Sequence, residues 1–428
     1  MKNIKPQLSK LYQDIKISSL RKAQQLYKER KDDVMAIDAS IGNVKLPMHP
    51  AMINRLKNLS ENPQFEKGIV PYPPTIGTDE ANSAILKIIR STGIDTHNLY
   101  SMITTGGSTA IDHAVLATCS KDKPLLIFEP FYPNYKNIAQ GYSIDVVAIT
   151  RQMDRDGKII YPSKSKIEEL IIKTKPAAFC VIPFDNPTGD MMKKEKFLEI
   201  AELCIKYNMW FISDEAYRTL YYKNEESPGI WKLDKLEGIK KRRISIETVS
   251  KGFNGCGLRI GALVTDNKEL LTKCEAFAMS HICTNAIGQY IVGALTNVPM
   301  KDIQKWNEKN KKYYSQNINW VRSEFKRIAP KAIFTSIGSA IYSVIDLRDC
   351  VPNNFSADSF VTYCAKDGKI SLKGKKYTLL VSPMSGFYSK TTPTVEKQIR
   401  ISYVENKENM KLIPMLFVKL LENYLKKC

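Results

Sequence analysis

Thr248-Val249-Ser250-Lys251-Gly252-Phe253-Asn254-Gly255-Cys256-Gly257-Leu258-Arg259-Ile260-Gly261 is the stretch on which the reading of this chain turns. It sets a hydroxyl three residues before a lysine, a glycine-rich turn after it, and an arginine eight residues on. A lysine amine condenses with carbonyls, while a hydroxyl and a guanidinium beside it suit a phosphate. Together they fit a cofactor that carries both an aldehyde and a phosphate. A Ser-Lys pair alone would carry no weight in so lysine-rich a chain, so the case rests on what accompanies Lys251.

Working outward, short apolar runs alternate with helical periodicity from about residue 100 to residue 264. Expected strands are 102–104, 125–128, 146–149, 178–182, 210–212, 244–246 and 262–264, continuous runs that suit strands buried on both faces of a parallel sheet. Phe197, Ile200, Ala201 and Cys204 recur at helical spacing between two of them, and a helix is expected over 108–118. The alternation predicts an α/β core. Beyond Val264 the chain reads as mostly helical to about residue 325. Strand-like runs come next at 341–345, 378–381 and 398–403, and an amphipathic helix closes the chain at 410–425. We expect an N-terminal arm over 1–50 packed on a small α+β domain over 301–428, with a large domain over 51–300 between them.

Other residues that could carry chemistry stand at the ends of these runs. Asp214 closes Trp210-Phe211-Ile212-Ser213, at the carboxyl end of a strand, where open α/β sheets bind ligands. A carboxylate there can keep a ring nitrogen protonated, and Tyr217 three residues on can donate to a ring oxygen. Alternatively Asp214-Glu215-Ala216-Tyr217 caps a helix. Asn186, in Asn186-Pro187-Thr188-Gly189, comes after another apolar run, although this tetrapeptide is also an ordinary turn. Thr104-Thr105-Gly106-Gly107-Ser108 leads from a strand into a helix, where free amides attract anions; a tight turn with a hydroxyl cap is the alternative. Arg400 interrupts the apolar strand 398–402, where a buried guanidinium calls for a carboxylate.

In this order the elements resemble the class I/II (fold-type I) pyridoxal-phosphate aminotransferases, from about residue 35 to the C-terminus. The resemblance implies an α/β fold-type I transferase with a mostly parallel central sheet flanked by helices, plus the smaller α+β domain. It implies pyridoxal 5'-phosphate as cofactor and amino-group transfer from an L-amino acid to a 2-oxo acid through a Lys251 Schiff base and the cofactor's pyridoxamine form. By the same resemblance Asp214 pairs with the ring nitrogen, and Tyr217 and Asn186 with the ring oxygen. Gly107, Ser108, Thr248 and Arg259 match the phosphate site, Tyr132 the residue stacked on the ring, and Arg400 the α-carboxylate site. Gly42 matches a strap over the substrate. Tyr72 matches a tyrosine lent to the neighbouring subunit, which implies a homodimer with shared active sites. Where dicarboxylate-specific relatives carry a second arginine this chain has Ser280, and Ser108 stands where another subgroup has lysine, so neutral or aromatic substrates are expected unless His281 or a mobile lysine substitutes. A β-lyase, or another enzyme of this fold, would share nearly all of these residues.

Composition bounds the rest. A chain of 428 residues with 43% hydrophobic and 25% charged content is of globular type, and its length suggests more than one domain. Residues 1–20 hold no signal-like apolar core and no run reaches bilayer-spanning length, so a cytoplasmic protein is expected. Nine cysteines without a Cys-x-x-Cys pair, and four scattered histidines, suggest neither a disulfide framework nor a metal site. The net charge of +20 raises a nucleic-acid partner or a non-enzymatic regulator. The lysines are spread along the chain, and the clusters 240–243 and 373–376 lack interleaved aromatics, so a solvated surface is the expectation.

Overall fold

The computed structural model describes residues 6–14, 19–223 and 225–427. Near the N-terminus, α1 (Ser19–Lys28) precedes a short strand, β1 (Met35–Asp38). A seven-stranded sheet then forms the centre of the molecule. Its strands are β2 (Tyr100–Thr105), β3 (Leu125–Glu129), β4 (Val146–Thr150), β5 (Ala178–Val181), β6 (Trp210–Asp214), β7 (Arg243–Thr248) and β8 (Ile260–Thr265). Their order is β2-β8-β7-β6-β5-β3-β4, with β8 antiparallel to both neighbours and the other pairings parallel. All seven expected strands are present. They read as unbroken apolar runs because helices cover both faces, leaving no solvent side to demand alternation. The helix Lys194–Lys206 buries Phe197, Ile200, Ala201 and Cys204, as their spacing predicts.

One helix starts earlier than expected. α2 runs over Gly106–Thr118, and Gly106 turns the chain with φ of 76°. A residue without Cβ adopts that angle freely, so the helix begins directly at the strand end.

Beyond the sheet lie α3 (Met300–Ile328), β9 (Tyr342–Asp346), α4 (Ala357–Lys366), β10 (Lys375–Leu380), β11 (Gln398–Ser402) and α5 (Lys407–Leu425). β9 and β11 are antiparallel partners in a four-stranded sheet, while β1 pairs in parallel with β10. Ala23, Ile37 and Ala39 share one apolar cluster with Phe325, Phe360, Ile401 and Phe417. The N-terminal segment is thus held by residues from the far end of the chain. That cluster also takes in Phe184, Met191, Tyr217 and Leu220 from the loops of the large sheet.

The basic runs do not form one charged face. Arg243 is buried, paired with Asp266 at 2.6 Å and Asp234 at 2.7 Å. Lys373 and Gly374 form the turn between Ile370–Leu372 and β10, with φ of 47° and 78°. Among the described residues no helix is long and apolar enough to cross a membrane, and the eight described cysteines are free.

The turn carrying Asn186 is held in place by Gly189. That glycine has φ of 73°, and a Cβ on it would overlap the Tyr342 carbonyl oxygen. Replacing Gly189 by alanine therefore costs backbone strain and displaces β9. Gly189→Ala should lose about 2 kcal/mol or more in urea unfolding, and an unchanged midpoint would show that the turn yields freely.

Candidate active site

Because the parallel strands run the same way, their carboxyl ends and the loops after them meet on one edge of the sheet. A cavity of about 690 Å³ opens there. Gly42, Gly107, Ser108, Tyr132, Asn186, Asp214, Tyr217, Thr248, Lys251, Arg259 and Arg400 all line it. Tyr72 does not; it is 79% exposed on the surface, near the exposed Ile69 and Val70. Ser280 and His281 are also exposed and outside the cavity wall, their Oγ and Nδ1 3.1 Å apart.

Lys251 sits in the turn after β7. Its Nζ donates to the Gly42 carbonyl and lies 3.8 Å from Cys256 Sγ. Position 42 has no room for a side chain, since a Cβ would overlap Tyr342 Oη and stand 3.2 Å from Lys251 Nζ. Only glycine lets the strap approach the amine this closely.

Asp214 ends β6, and a turn rather than a helix comes after it, so the capping alternative falls away. Its carboxylate accepts from Tyr135 Oη at 2.8 Å and from the Ala216 amide at 3.2 Å. Burial pushes the carboxyl up to about 6, against the pull of those two donors. Among the described residues Asp214 has no cationic partner within ion-pair distance. Tyr217 donates to Tyr342 Oη at 3.0 Å, and burial holds its phenol well above the ordinary range.

At the other end of the sheet edge, α2 begins without a side-chain cap, leaving its first-turn amides free toward the cavity. The Arg259 side chain crosses this helix start: Nη2 donates to the Thr105 carbonyl at 3.3 Å, and a Cβ on Gly106 would overlap that nitrogen. Thr248 Oγ1 bonds Ser250 Oγ at 2.8 Å. Free amides, hydroxyls and a guanidinium make an anion site.

Arg400, on β11, is buried. Nη1 donates to Asn186 Oδ1 at 3.0 Å, Nη2 donates to the Ser40 carbonyl, and Nε has no partner. The guanidinium lies between the rings of Tyr342 and Phe387, 4.4 and 4.8 Å from their centroids. Burial lowers its pKa, as expected of a cation with no carboxylate beside it.

Several lining residues are missing from the sequence-based expectations. Ser250 and Cys256 lie inside the lysine motif, where Ser250 is recoverable as a second hydroxyl. Tyr342 lies in a run that reads as a core strand. Tyr135, buried behind the cavity wall where it bonds Asp214, stands three residues after Tyr132 and gives no separate signal. Arg21 reaches the cavity from α1, far from every motif.

A family model described as aminotransferase class I and II matches residues 37–415. Aspartate aminotransferase of Thermotoga maritima is 25% identical over 287 residues, covering 66% of this chain and 71% of that protein. LL-diaminopimelate aminotransferase of Aquifex aeolicus is 26% identical over 413 residues, covering 92% and 95%. Among solved structures, an N-succinyldiaminopimelate aminotransferase of Mycobacterium tuberculosis superposes with a TM-score of 0.80 over 97% of this chain and 100% of its own, at 17% identity. At that identity the likeness speaks for the fold.

Proteins of this class use pyridoxal phosphate, and the cavity suits it. The uncapped helix start with Arg259 offers an anion site, Asp214 is a buried carboxylate lacking a cation, and Lys251 lies between elements that carry them.

The raised Asp214 carboxyl has a cost in the protein without cofactor. Below its ordinary value of 3.8 both folded and unfolded forms are protonated, and the cost is absent. It grows as pH rises toward the folded value of about 6 and is complete above it. Asp214→Asn should therefore stabilise the cofactor-free protein by up to about 3 kcal/mol above pH 6, relative to any difference at pH 4. Denaturant unfolding across that range checks this, and a difference independent of pH would show that the carboxyl is not raised.

Proposed function

The chain belongs to the class I and II aminotransferases, and on that premise we propose that Lys251 is its catalytic amine, working on an L-amino acid and a 2-oxo acid. The chain is a pyridoxal-phosphate-dependent transaminase. The observation that carries the finer reading is the meeting of Lys251, Asp214 and Arg400 in one cavity, from three separate elements.

Pyridoxal phosphate, when bound, supplies the aldehyde that takes the amino group and the ring that withdraws electrons from the substrate's α-carbon. Lys251 Nζ would hold the cofactor at its aldehyde carbon and would move the proton released at the substrate's α-carbon. Asp214 would hold the ring nitrogen, a cationic partner that favours the carboxylate's charged form. Tyr217 and Asn186 hold the ring oxygen. Gly107, Ser108, Thr248 and Arg259 hold the phosphate. Tyr132 stacks on the ring. Arg400 has a buried, unpartnered Nε and takes the α-carboxylate, with Gly42 in the strap above.

We further propose a cytoplasmic homodimer in which Tyr72 reaches the second subunit's phosphate site. The exposure of Tyr72 beside Ile69 and Val70 supports this, since such a surface suits a partner. The shared cluster of N-terminal and C-terminal residues supports a small domain made of the arm and residues 301–428.

Single-turnover spectra with a panel of amino acids and no oxo acid test the reading. One or more amino acids should convert the bound cofactor to its amino form and yield the matching 2-oxo acid. Lys251→Ala should slow this by roughly 10³-fold or more while still binding cofactor. Release of pyruvate and ammonia, with the cofactor unchanged, would make the protein a β-lyase instead.

A further inference from the structure

Resting on the transaminase reading, we infer that Arg21 is a second carboxylate-binding residue, which makes dicarboxylic amino acids and their 2-oxo acids the substrate class. The inference begins with a cation that has no anion. Arg21 lines the same cavity as Lys251 and Arg400, and its charge is felt at Tyr132. Its hydrogen bond is a weak one, from Nη1 to the neutral Gln24 amide oxygen at 3.3 Å. Among the described residues no carboxylate lies within ion-pair distance of it.

The other cations of the cavity have work already: Arg259 at the phosphate position, Lys251 at the chemistry, Arg400 at the α-carboxylate. Asp214 is the acidic residue of the wall and is committed to the ring nitrogen. Arg21 is left as positive charge without a carboxylate partner, in the cavity that Ile41 and Asn43 of the strap also line.

Arg21 is also held in relation to Arg400. Gln24, its partner, donates through Nε2 to Asp38 Oδ2 at 2.5 Å. The other oxygen of Asp38 accepts from the Ser40 amide at 2.9 Å and from the Ser40 hydroxyl. The Ser40 carbonyl in turn accepts from Arg400 Nη2. One line of hydrogen bonds thus joins the two guanidinium groups through the strap, and Ala23, fully buried, anchors α1 in the core. Arg400 is buried and Arg21 is exposed at the cavity's rim; two guanidinium groups lining one cavity match a molecule with two carboxylates. On this reading the second carboxylate is met by α1 rather than by the segment that carries Ser280.

The test compares kcat/KM of the holoenzyme for L-glutamate and L-aspartate with that for L-alanine, L-leucine and L-phenylalanine, in the parent, Arg21→Met and Arg21→Lys. The parent should prefer the dicarboxylates. In Arg21→Met the ratio of dicarboxylate to neutral kcat/KM should fall about 10- to 100-fold, through KM more than kcat, and Arg21→Lys should recover part of it. Unchanged cofactor absorbance controls for folding. A parent that prefers neutral substrates, or an Arg21→Met loss equal for both classes, overturns the role of Arg21 and leaves the transaminase reading standing. Failure to convert any amino acid overturns that reading itself, and this one with it.

Discussion

Burial of the Arg400 guanidinium without a carboxylate is the constraint around which the cavity is organised. Removing such an ion from water costs several kcal/mol unless it is well partnered. Arg400 has a backbone carbonyl from the N-terminal segment, an amide oxygen from the loop after β5, and two ring faces near β11. Those partners come from the N-terminal segment, a loop of the large sheet and the C-terminal layers, so the charge acts as a point where the three are joined. Asp214 is the mirror case, a buried carboxylate without a cation, pushed up toward neutrality. One cavity therefore holds two unsatisfied charges of opposite sign. On the function proposed above, a cationic ring nitrogen would answer Asp214 and a substrate carboxylate would answer Arg400.

Holding such charges apart needs a stiff frame, and the frame is ionic behind the site as well as apolar. Arg218, buried, pairs with Glu247 at 2.5 Å and Glu215 at 2.7 Å. Glu215 also accepts from Ser213 Oγ and from the Ile230 amide. This network fixes the turn 214–219 that presents both Asp214 and Tyr217. A similar group, Arg151 with Asp185 at 3.2 Å, fixes the turn that presents Asn186. Asp185 also accepts from the Thr188 amide and hydroxyl. The carboxylate before Asn186 therefore stabilises its turn. These pairs stabilise geometry more than they stabilise folding, because each buried ion carries its own desolvation cost.

The sheet was legible because both its faces are covered. Strands such as 125–128 and 178–181 carry no charged interruption, and Asp214 or Thr248 then mark the ends where the chain leaves the interior. The glycine and lysine block was legible because its residue types are chemically unusual together. Tyr342 was not, because it sits in a run whose neighbours read as core. Arg21 was not, because an amphipathic helix near a chain terminus normally carries arginine for solvent. In both cases the deciding fact is which distant segment lies opposite, and local pattern holds no record of that.

The contact between Gly42 and Lys251 shows how such distant placement acts on chemistry. The strap reaches the amine through a backbone carbonyl, which accepts its hydrogen bond but offers it no negative charge. Tyr342 Oη fills the space a side chain at 42 would need, so the approach depends on a residue of β9 as much as on the glycine. The same tyrosine receives the Tyr217 hydroxyl and faces Arg400. A shift of β9 relative to the large sheet would therefore move the strap, the Arg400 guanidinium and the Tyr217 hydroxyl together. Movement of the C-terminal layers is in this way coupled to the amine itself, through one aromatic side chain rather than through the lysine's own loop.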